Sequence, residues 1–132
     1  MTQKILPVDF DRDTGPFFTA ARDHRLVYRH CRDCGRGIHI PSQTCKHCGS
    51  LETEWREASG RGQLFSWTVT RNPTHPAYPV PYTIVVVSLE EAPDVRLIGR
   101  IDGAAELEAG QPMQVWFDDV GEGVVLPQWR PA

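Results

Sequence analysis

Apolar positions along this chain recur with two different steps, and the change from one to the other organises everything that follows. Residues 1–12 show no period and read as a polar, irregular arm. Asp13-Thr14-Gly15-Pro16 then offers a capping residue and an early proline, a combination that opens helices because a first-turn N–H needs no intrahelical partner. Phe17, Ala20, Ala21 and His24 follow at helical spacing, which predicts a short helix over about 16–23 with Phe17 turned inward. From Leu26 onward the step shortens to two. Leu26-Val27-Tyr28 and Gly37-Ile38-His39-Ile40-Pro41 read as short strands, and Ser59-Gly60-Arg61-Gly62 reads as a turn.

Beyond that turn the chain is a series of strands. Leu64 to Thr70 alternates, with Phe65, Trp67 and Val69 on one face. Tyr82 to Leu89 is a nearly continuous apolar run, as expected of a strand buried on both sides. Arg96 to Ile101 contains Gly99, which permits a bend. Met113, Val115 and Phe117 alternate in a fourth strand, and Val124 begins a fifth. Five short strands separated by turns predict a Greek-key barrel of the OB type, with Phe65, Trp67 and Trp116 in its core. The connection from Asn72 to Pro81 carries proline at 73, 76, 79 and 81. It is too stiff for a linker and too long for a hairpin turn, and loops of that kind frequently carry function.

All four cysteines stand between the two regions, as Cys31-x2-Cys34, ten residues, Cys45-x2-Cys48. Each pair opens a knuckle that ends in glycine, Gly35 or Gly49, where a tight turn needs positive φ. Two knuckles on facing hairpins close an all-sulfur tetrahedral site with no open position, the arrangement of a structural ion. Disulfides would require an oxidising compartment. Iron held as in rubredoxin is the other metal reading, since zinc and iron both accept four thiolates, although the spacer is short for that family. The expected organisation is therefore an arm, helix and four-cysteine zinc ribbon over 1–50, then an OB barrel over 51–132.

Charge sharpens this division. Residues 1–50 carry eight Lys/Arg against five Asp/Glu, a balance of +3, whereas 51–132 carry six against twelve, a balance of −6. Arg22, Arg25, Arg29, Arg32 and Arg36 crowd around the first knuckle, either as a solvated face or as an anion site for ligand phosphates or an acidic partner. The acidic barrel repels a phosphate backbone, which weighs against the alternative of a nucleic-acid-binding module. The longest purely apolar run is Ile84–Val87, so no membrane span is expected, and the start shows no signal peptide; a cytoplasmic protein with reduced thiols is the expectation. With every thiol committed to metal, no nucleophilic cysteine remains. His30 and His47 flank the knuckles as exposed groups or neighbours of the ligands, His39 alternates in a strand, and His75 in the proline-rich loop is the histidine worth testing at a partner's active site. The pairs Asp118-Asp119 and Glu90-Glu91 read as solvated acids rather than catalytic pairs.

The ordered set of motifs resembles one family, the zinc-ribbon OB-fold proteins first catalogued as domain of unknown function 35. The resemblance covers nearly the full chain: the Pro16-Phe17-Phe18 helix; the Cys31-Arg32-Asp33-Cys34-Gly35 and Cys45-Lys46-His47-Cys48-Gly49 knuckles; Trp55; and Ser59-Gly60-Arg61-Gly62 with its following Trp67-Thr68 strand. It continues through Pro81-Tyr82, Gly110-Gln111-Pro112-Met113-Gln114-Val115 and Leu126-Pro127-Gln128-Trp129-Arg130-Pro131. One departure is Trp129, where members usually have phenylalanine. The resemblance implies one structural zinc and a role beside an enzyme rather than as one. Members pair with thiolase-superfamily proteins (acyl-CoA thiolases, acyltransferases and thiolase-like aldolases that cleave steroid side-chain CoA thioesters) and stabilise or complete the acyl-CoA site. The expected assembly is a hetero-oligomer, a heterotetramer, with Arg22, Arg25, Arg29, Arg32, Arg36, His75, Tyr78 and Tyr82 as candidate contacts to CoA or to the partner. Some members carry a fused hydratase domain, and none is expected in this chain.

Overall fold

A computed structural model describes residues 4–132. One helix, α1 (Gly15–Arg22), precedes eight strands: β1 (Val27–Cys31), β2 (Gly37–Ile38), β3 (Thr53–Glu57), β4 (Arg61–Thr70), β5 (Tyr82–Leu89), β6 (Arg96–Asp102), β7 (Pro112–Gly121) and β8 (Val124–Pro131). They form an antiparallel three-stranded sheet in the order β2-β1-β3 and an antiparallel five-stranded sheet in the order β6-β5-β4-β7-β8. The architecture is the zinc ribbon and five-stranded OB barrel that the sequence predicts.

Helix α1 starts at Gly15 with Pro16 in its first turn. Asp11, not Asp13, fastens this end: its carboxylate accepts the Thr14 backbone N–H at 2.9 Å and the Thr14 hydroxyl at 2.5 Å, which lowers its pKa. Ala20 and Ala21 are buried, and Phe17 packs half-buried against the barrel core, as its spacing predicts. The second short strand covers only Gly37–Ile38, because the chain leaves the sheet at His39. Strand β3 was not expected. It lies beyond the second knuckle and pairs along β1 from Val27↔Glu57 to Cys31↔Thr53; its sequence, Thr-Glu-Trp-Arg-Glu, has too little apolar content to announce a strand.

The barrel core holds Leu64, Val85, Val87, Leu89, Val95, Leu97, Met113 and Trp129, and it takes in Leu26 and Tyr28 from the ribbon side. Sequence alternation misplaces part of it. The register of β4 against β5 shifts between Leu64↔Val87 and Ser66↔Val86, so Phe65 is the extra residue of a β-bulge. Leu64 and Trp67 point inward on either side of it, while Phe65 is 52% exposed. Phe65 is thus not core, and neither is Trp116, which lies on the outer face of β7 between the inward Val115 and Phe117. Strand β5 is also not buried equally on both faces. Thr83, Val85, Val87 and Leu89 are buried, whereas Ile84, Val86 and Ser88 are only half-covered.

The barrel closes where β6 meets β8, without a ladder between them. Gln128 Oε1 accepts the Arg100 backbone N–H at 2.7 Å, and a Cβ on Gly99 would stand 3.0 Å from the Trp129 backbone nitrogen. Glycine at 99 is required here for close approach as much as for bending. No helix is long and apolar enough to cross a membrane.

Candidate functional site

The two knuckles are copies of one backbone design. Gly35 N–H donates to the Cys31 carbonyl at 2.9 Å, and Gly49 N–H to the Cys45 carbonyl at 2.8 Å. Cys31 and Cys45 in turn donate their own N–H groups to the carbonyls of Arg36 and Ser50, both at 2.9 Å. Gly35 and Gly49 have φ of 77° and 78°, a conformation that side chains resist. Two ligands come from β1 and its turn, and two from the loop that returns to β3.

All four sulfurs lie within 4.8 Å of one another. Cys31 Sγ stands 3.6 Å from Cys48 Sγ, and Cys34 Sγ stands 3.7 Å from Cys45 Sγ. Four sulfurs around a zinc ion at ~2.3 Å would be separated by ~3.8 Å, whereas a disulfide needs ~2.05 Å. The geometry fits a tetrahedral ion and excludes bonded pairs. Cys31 and Cys45 are buried, at 0% and 1% exposure, while Cys34 and Cys48 are exposed. Burial works to raise the Cys45 thiol, but backbone N–H groups of Cys48 and His47 and the neighbouring thiols bring it down to about 7. The Ser50 N–H favours the Cys48 thiolate, yet burial and the other three sulfurs push that thiol up to about 12. Cys34 is raised as well. Four thiolates at this separation need a shared positive charge, and none of the four positions is left for water or substrate. Such a centre holds a fold together; it does not perform chemistry.

Two contacts that sequence reasoning missed cross-link the knuckles from outside. Ser50 Oγ donates to Asp33 Oδ2 at 2.5 Å, and Arg36 meets His47 Nδ1 at 3.2 Å. Each joins residues beside one cysteine pair to residues beside the other, and only spatial knowledge of the hairpins could have paired them. His47 thus engages Arg36 through its Nδ1 and is not among the four grouped ligands. His30 is 7% exposed, edge-on to Tyr28 and with Nδ1 3.5 Å from Glu54, and is a buried wall group rather than an exposed one. His39 is half-buried beside Phe18 and Leu126, and burial, followed by the charge of Lys46, lowers its pKa.

The five arginines are not gathered into one cluster. Arg22 is bound to Asp9 and to the Gly123 carbonyl, Arg25 to Glu57 at 2.5 Å and Arg32 to Glu52 at 2.7 Å. Arg29 donates to Thr53 Oγ1 at 2.8 Å and lies over the Trp55 ring. Arg36 faces only His47. Near Arg25 and Trp55, a surface groove of about 490 Å³ is lined by Asp9, Asp11 and Asp23, so its charge is acidic. The proline-rich loop folds on itself. His75 Nδ1 accepts the Ala77 N–H at 3.1 Å, His75 and Tyr78 rings pack 5.5 Å apart, and the Tyr78 hydroxyl accepts the Ile5 N–H at 3.2 Å. Tyr82 is buried at 8% exposure, its hydroxyl 3.2 Å from Thr74. The structure thus brings His75 and Tyr78 together and places Tyr82 beneath the loop.

Comparison with known proteins follows this geometry. A family model described as the ChsH2 rubredoxin-like zinc ribbon domain matches residues 18–54, and one described as the ChsH2 C-terminal OB-fold domain matches residues 55–118. The solved chain of an "Ltp2-ChsH2(DUF35) aldolase" superposes with a TM-score of 0.82 at 35% identity, covering 95% of this chain and 98% of that one. The chain belongs to the DUF35 family, in its ChsH2 branch. Curated relatives of this DUF35 protein include a "probable enoyl-CoA hydratase alpha subunit" of Thermomonospora curvata, 36% identical over 124 residues. The "3-oxo-4,17-pregnadiene-20-carboxyl-CoA hydratase alpha subunit" of Mycobacterium tuberculosis is 32% identical over 122 residues. These matches cover 92% and 91% of the chain but only 38% of either relative's length. A "DUF35 domain-containing scaffold protein" of Pyrococcus furiosus is 36% identical over 73 residues, 54% of this chain and 53% of that protein. A DUF35 structure from Sulfolobus solfataricus, at 15% identity and a TM-score of 0.63, shares the fold.

Proposed function

We propose that this DUF35 protein is the small accessory subunit of a thiolase-like enzyme acting on a CoA thioester, with aldol cleavage of a steroid-type side chain favoured over thiolysis or acyl transfer. The observation that carries this reading is the match over 95% of the chain to the DUF35 component of an Ltp2–ChsH2 aldolase. The relative named for a pregnadiene carboxyl-CoA supports the steroid thioester class. In this reading the subunit contributes no catalytic group: its thiols surround one structural zinc ion, His24 stacks on Phe117, His30 is buried, His75 accepts a backbone N–H and His47 meets Arg36. Its part is to brace the larger subunit and complete the acyl-CoA site in a heterotetramer, in the cytoplasm. Arg36, whose partner is an imidazole rather than a carboxylate, is the best placed of the five arginines to meet a CoA phosphate. The alternative of a nucleic-acid module is disfavoured by the −6 balance of the barrel half.

Co-expression with the Ltp2-like protein of the same host tests the proposal. The expected result is a complex of equal stoichiometry by light scattering that cleaves a steroid side-chain β-hydroxyacyl-CoA, with little activity from either subunit alone. Failure of the two proteins to associate would reject it.

A further inference from the structure

The outer face of β4, β5 and β6 is uncovered and has an unusual make-up. The register aligns Ser66, Val86 and Ile98 across the three strands, with Ile84 in the next row. Ile98 is 67% exposed. Phe65 adds its ring to the same face only because the bulge rotates it out of the alternation that would have buried it. The guanidinium of Arg96 lies over that ring, 3.9 Å from its centroid. Among the described residues Arg96 has no carboxylate partner, in contrast to Arg100 on the same strand, which is paired with Asp102. In a half-chain with six more acids than bases, Arg96 stands over an exposed aromatic ring and, among the described residues, forms no ion pair.

We infer that this face, centred on Phe65 and Arg96, is where the larger subunit docks, and that the partner meets it with an apolar ridge carrying a carboxylate. The inference rests on the accessory-subunit reading and adds the surface and its chemistry. With its Cζ 3.9 Å above the ring, the Arg96 guanidinium is fixed on the surface, and a guanidinium so placed can offer two parallel N–H bonds to one carboxylate. Aromatic and arginine side chains presented together, already fixed against each other, lose little freedom on association and are the residue types that dominate interface energies. The bulge lets β4 curl between β5 and β7, and in doing so it leaves the Phe65 ring on the surface, where a partner can reach it. A cavity of about 280 Å³ opens at Ile98, walled by Phe18 and Leu126, and gives an apolar side chain from the partner somewhere to seat. Nucleic acid would need a run of unpaired cations along this face, and it offers Arg96 alone.

The test uses the full chain and its host's Ltp2-like subunit, with affinity measured by titration calorimetry for wild type, Arg96→Glu, Phe65→Ser and Leu51→Ser. Leu51 is 74% exposed but lies in the ribbon loop, off this face. Arg96→Glu and Phe65→Ser should each weaken binding at least about thirtyfold, and Leu51→Ser should change it by less than about twofold. Both altered side chains are exposed, so circular dichroism melts should stay within a few degrees of wild type; if Phe65→Ser fails to fold, Arg96→Glu decides alone. Wild-type affinity in Arg96→Glu overturns the docking face while the accessory role stands. No binding by wild type removes the accessory role and this inference with it. If Arg96→Glu instead abolishes binding of a fifteen-nucleotide thymidine oligomer, or dimerisation of the free chain, and leaves the complex intact, the face serves nucleic acid or self-association and the inference is wrong.

Discussion

Trp129→Phe should be tolerated where replacement of a buried tryptophan ordinarily is not. The indole is 0% exposed in the barrel core, its Cδ1 edge faces Gly99 across the closing seam, and among the described residues its Nε1 has no hydrogen-bond partner. Trimming the indole to a phenyl ring removes apolar contact and leaves a small void, at a cost of ~1–2 kcal/mol. The same change removes a buried donor that is desolvated and unbonded, a penalty of ~1–3 kcal/mol. The two effects nearly cancel, so the variant is expected to lie within about 1 kcal/mol of wild type, on the stabilised side if both sit at the middle of their ranges. Trp129→Ala provides the contrast, because it removes the donor but opens a large cavity and should cost ~3–5 kcal/mol. Urea denaturation with zinc in excess, followed by far-ultraviolet circular dichroism, gives both numbers if the slopes stay equal. A loss above ~2 kcal/mol in Trp129→Phe would refute the reasoning, since it would mean that the indole N–H finds a partner in solution, such as a buried water. Phenylalanine at this position in related proteins is the pattern that this balance predicts.

Three further outcomes are expected. Cys45→Ser should reduce bound metal, measured by inductively coupled plasma mass spectrometry, from one ion per chain to nearly none and leave a poorly soluble protein; full metal content would show that three thiolates suffice. Gly99→Ala pushes a methyl group to 3.0 Å from the Trp129 nitrogen and 3.3 Å from Gln128 Oε1, so it should destabilise by ~2–3 kcal/mol in the same denaturation experiment; an unchanged midpoint would show that the seam is loose. Cys34 and Cys48 both have raised pKa values in the metal-free fold, Cys48 to about 12, so both hold protons at pH 7 and must lose them to bind metal. Zinc binding to metal-free protein should therefore release at least about two protons and tighten as pH rises, which calorimetry in buffers of different ionisation enthalpy reads directly; release of none would contradict the assigned protonation.

What could be read from the sequence had a local cause. The cysteine knuckles announce themselves because both ligand pairs and their glycines are neighbours in the chain, and the barrel strands because the apolar run from Tyr82 to Leu89 and the alternation of Met113, Val115 and Phe117 are local patterns. What escaped depends on partners far along the chain. Strand β3 exists because β1 offers it an edge, not because Thr53–Glu57 has strand character. The bulge that expels Phe65 arises from the pairing of β4 with β5, so simple alternation assigns the ring to the wrong side. The arginines read as an unopposed basic patch because only Asp23 and Asp33 lie near them in sequence; the fold brings Asp9 from the arm and Glu52 and Glu57 from the two ends of β3 to pair with three of them. The metal ligands were legible, and their cross-links through Ser50 and His47 were not.

Strand β1 ends in a metal ligand, Cys31, and carries Tyr28, a member of the barrel core, three residues earlier. Gly37, on the paired strand, has room for no Cβ because Val95 and Ala92 of the barrel stand against it. The ion and the barrel thus share a rigid five-residue lever, and metal occupancy becomes a thermodynamic ligand for the whole chain. Each tenfold rise in free zinc above the dissociation constant adds ~1.4 kcal/mol to the apparent stability, reaching ~2.7 kcal/mol at a hundredfold excess. With a metal ion in the four-cysteine site, the persistence of the barrel would follow the metal supply around it, because the ribbon that the ion closes is packed into the barrel core.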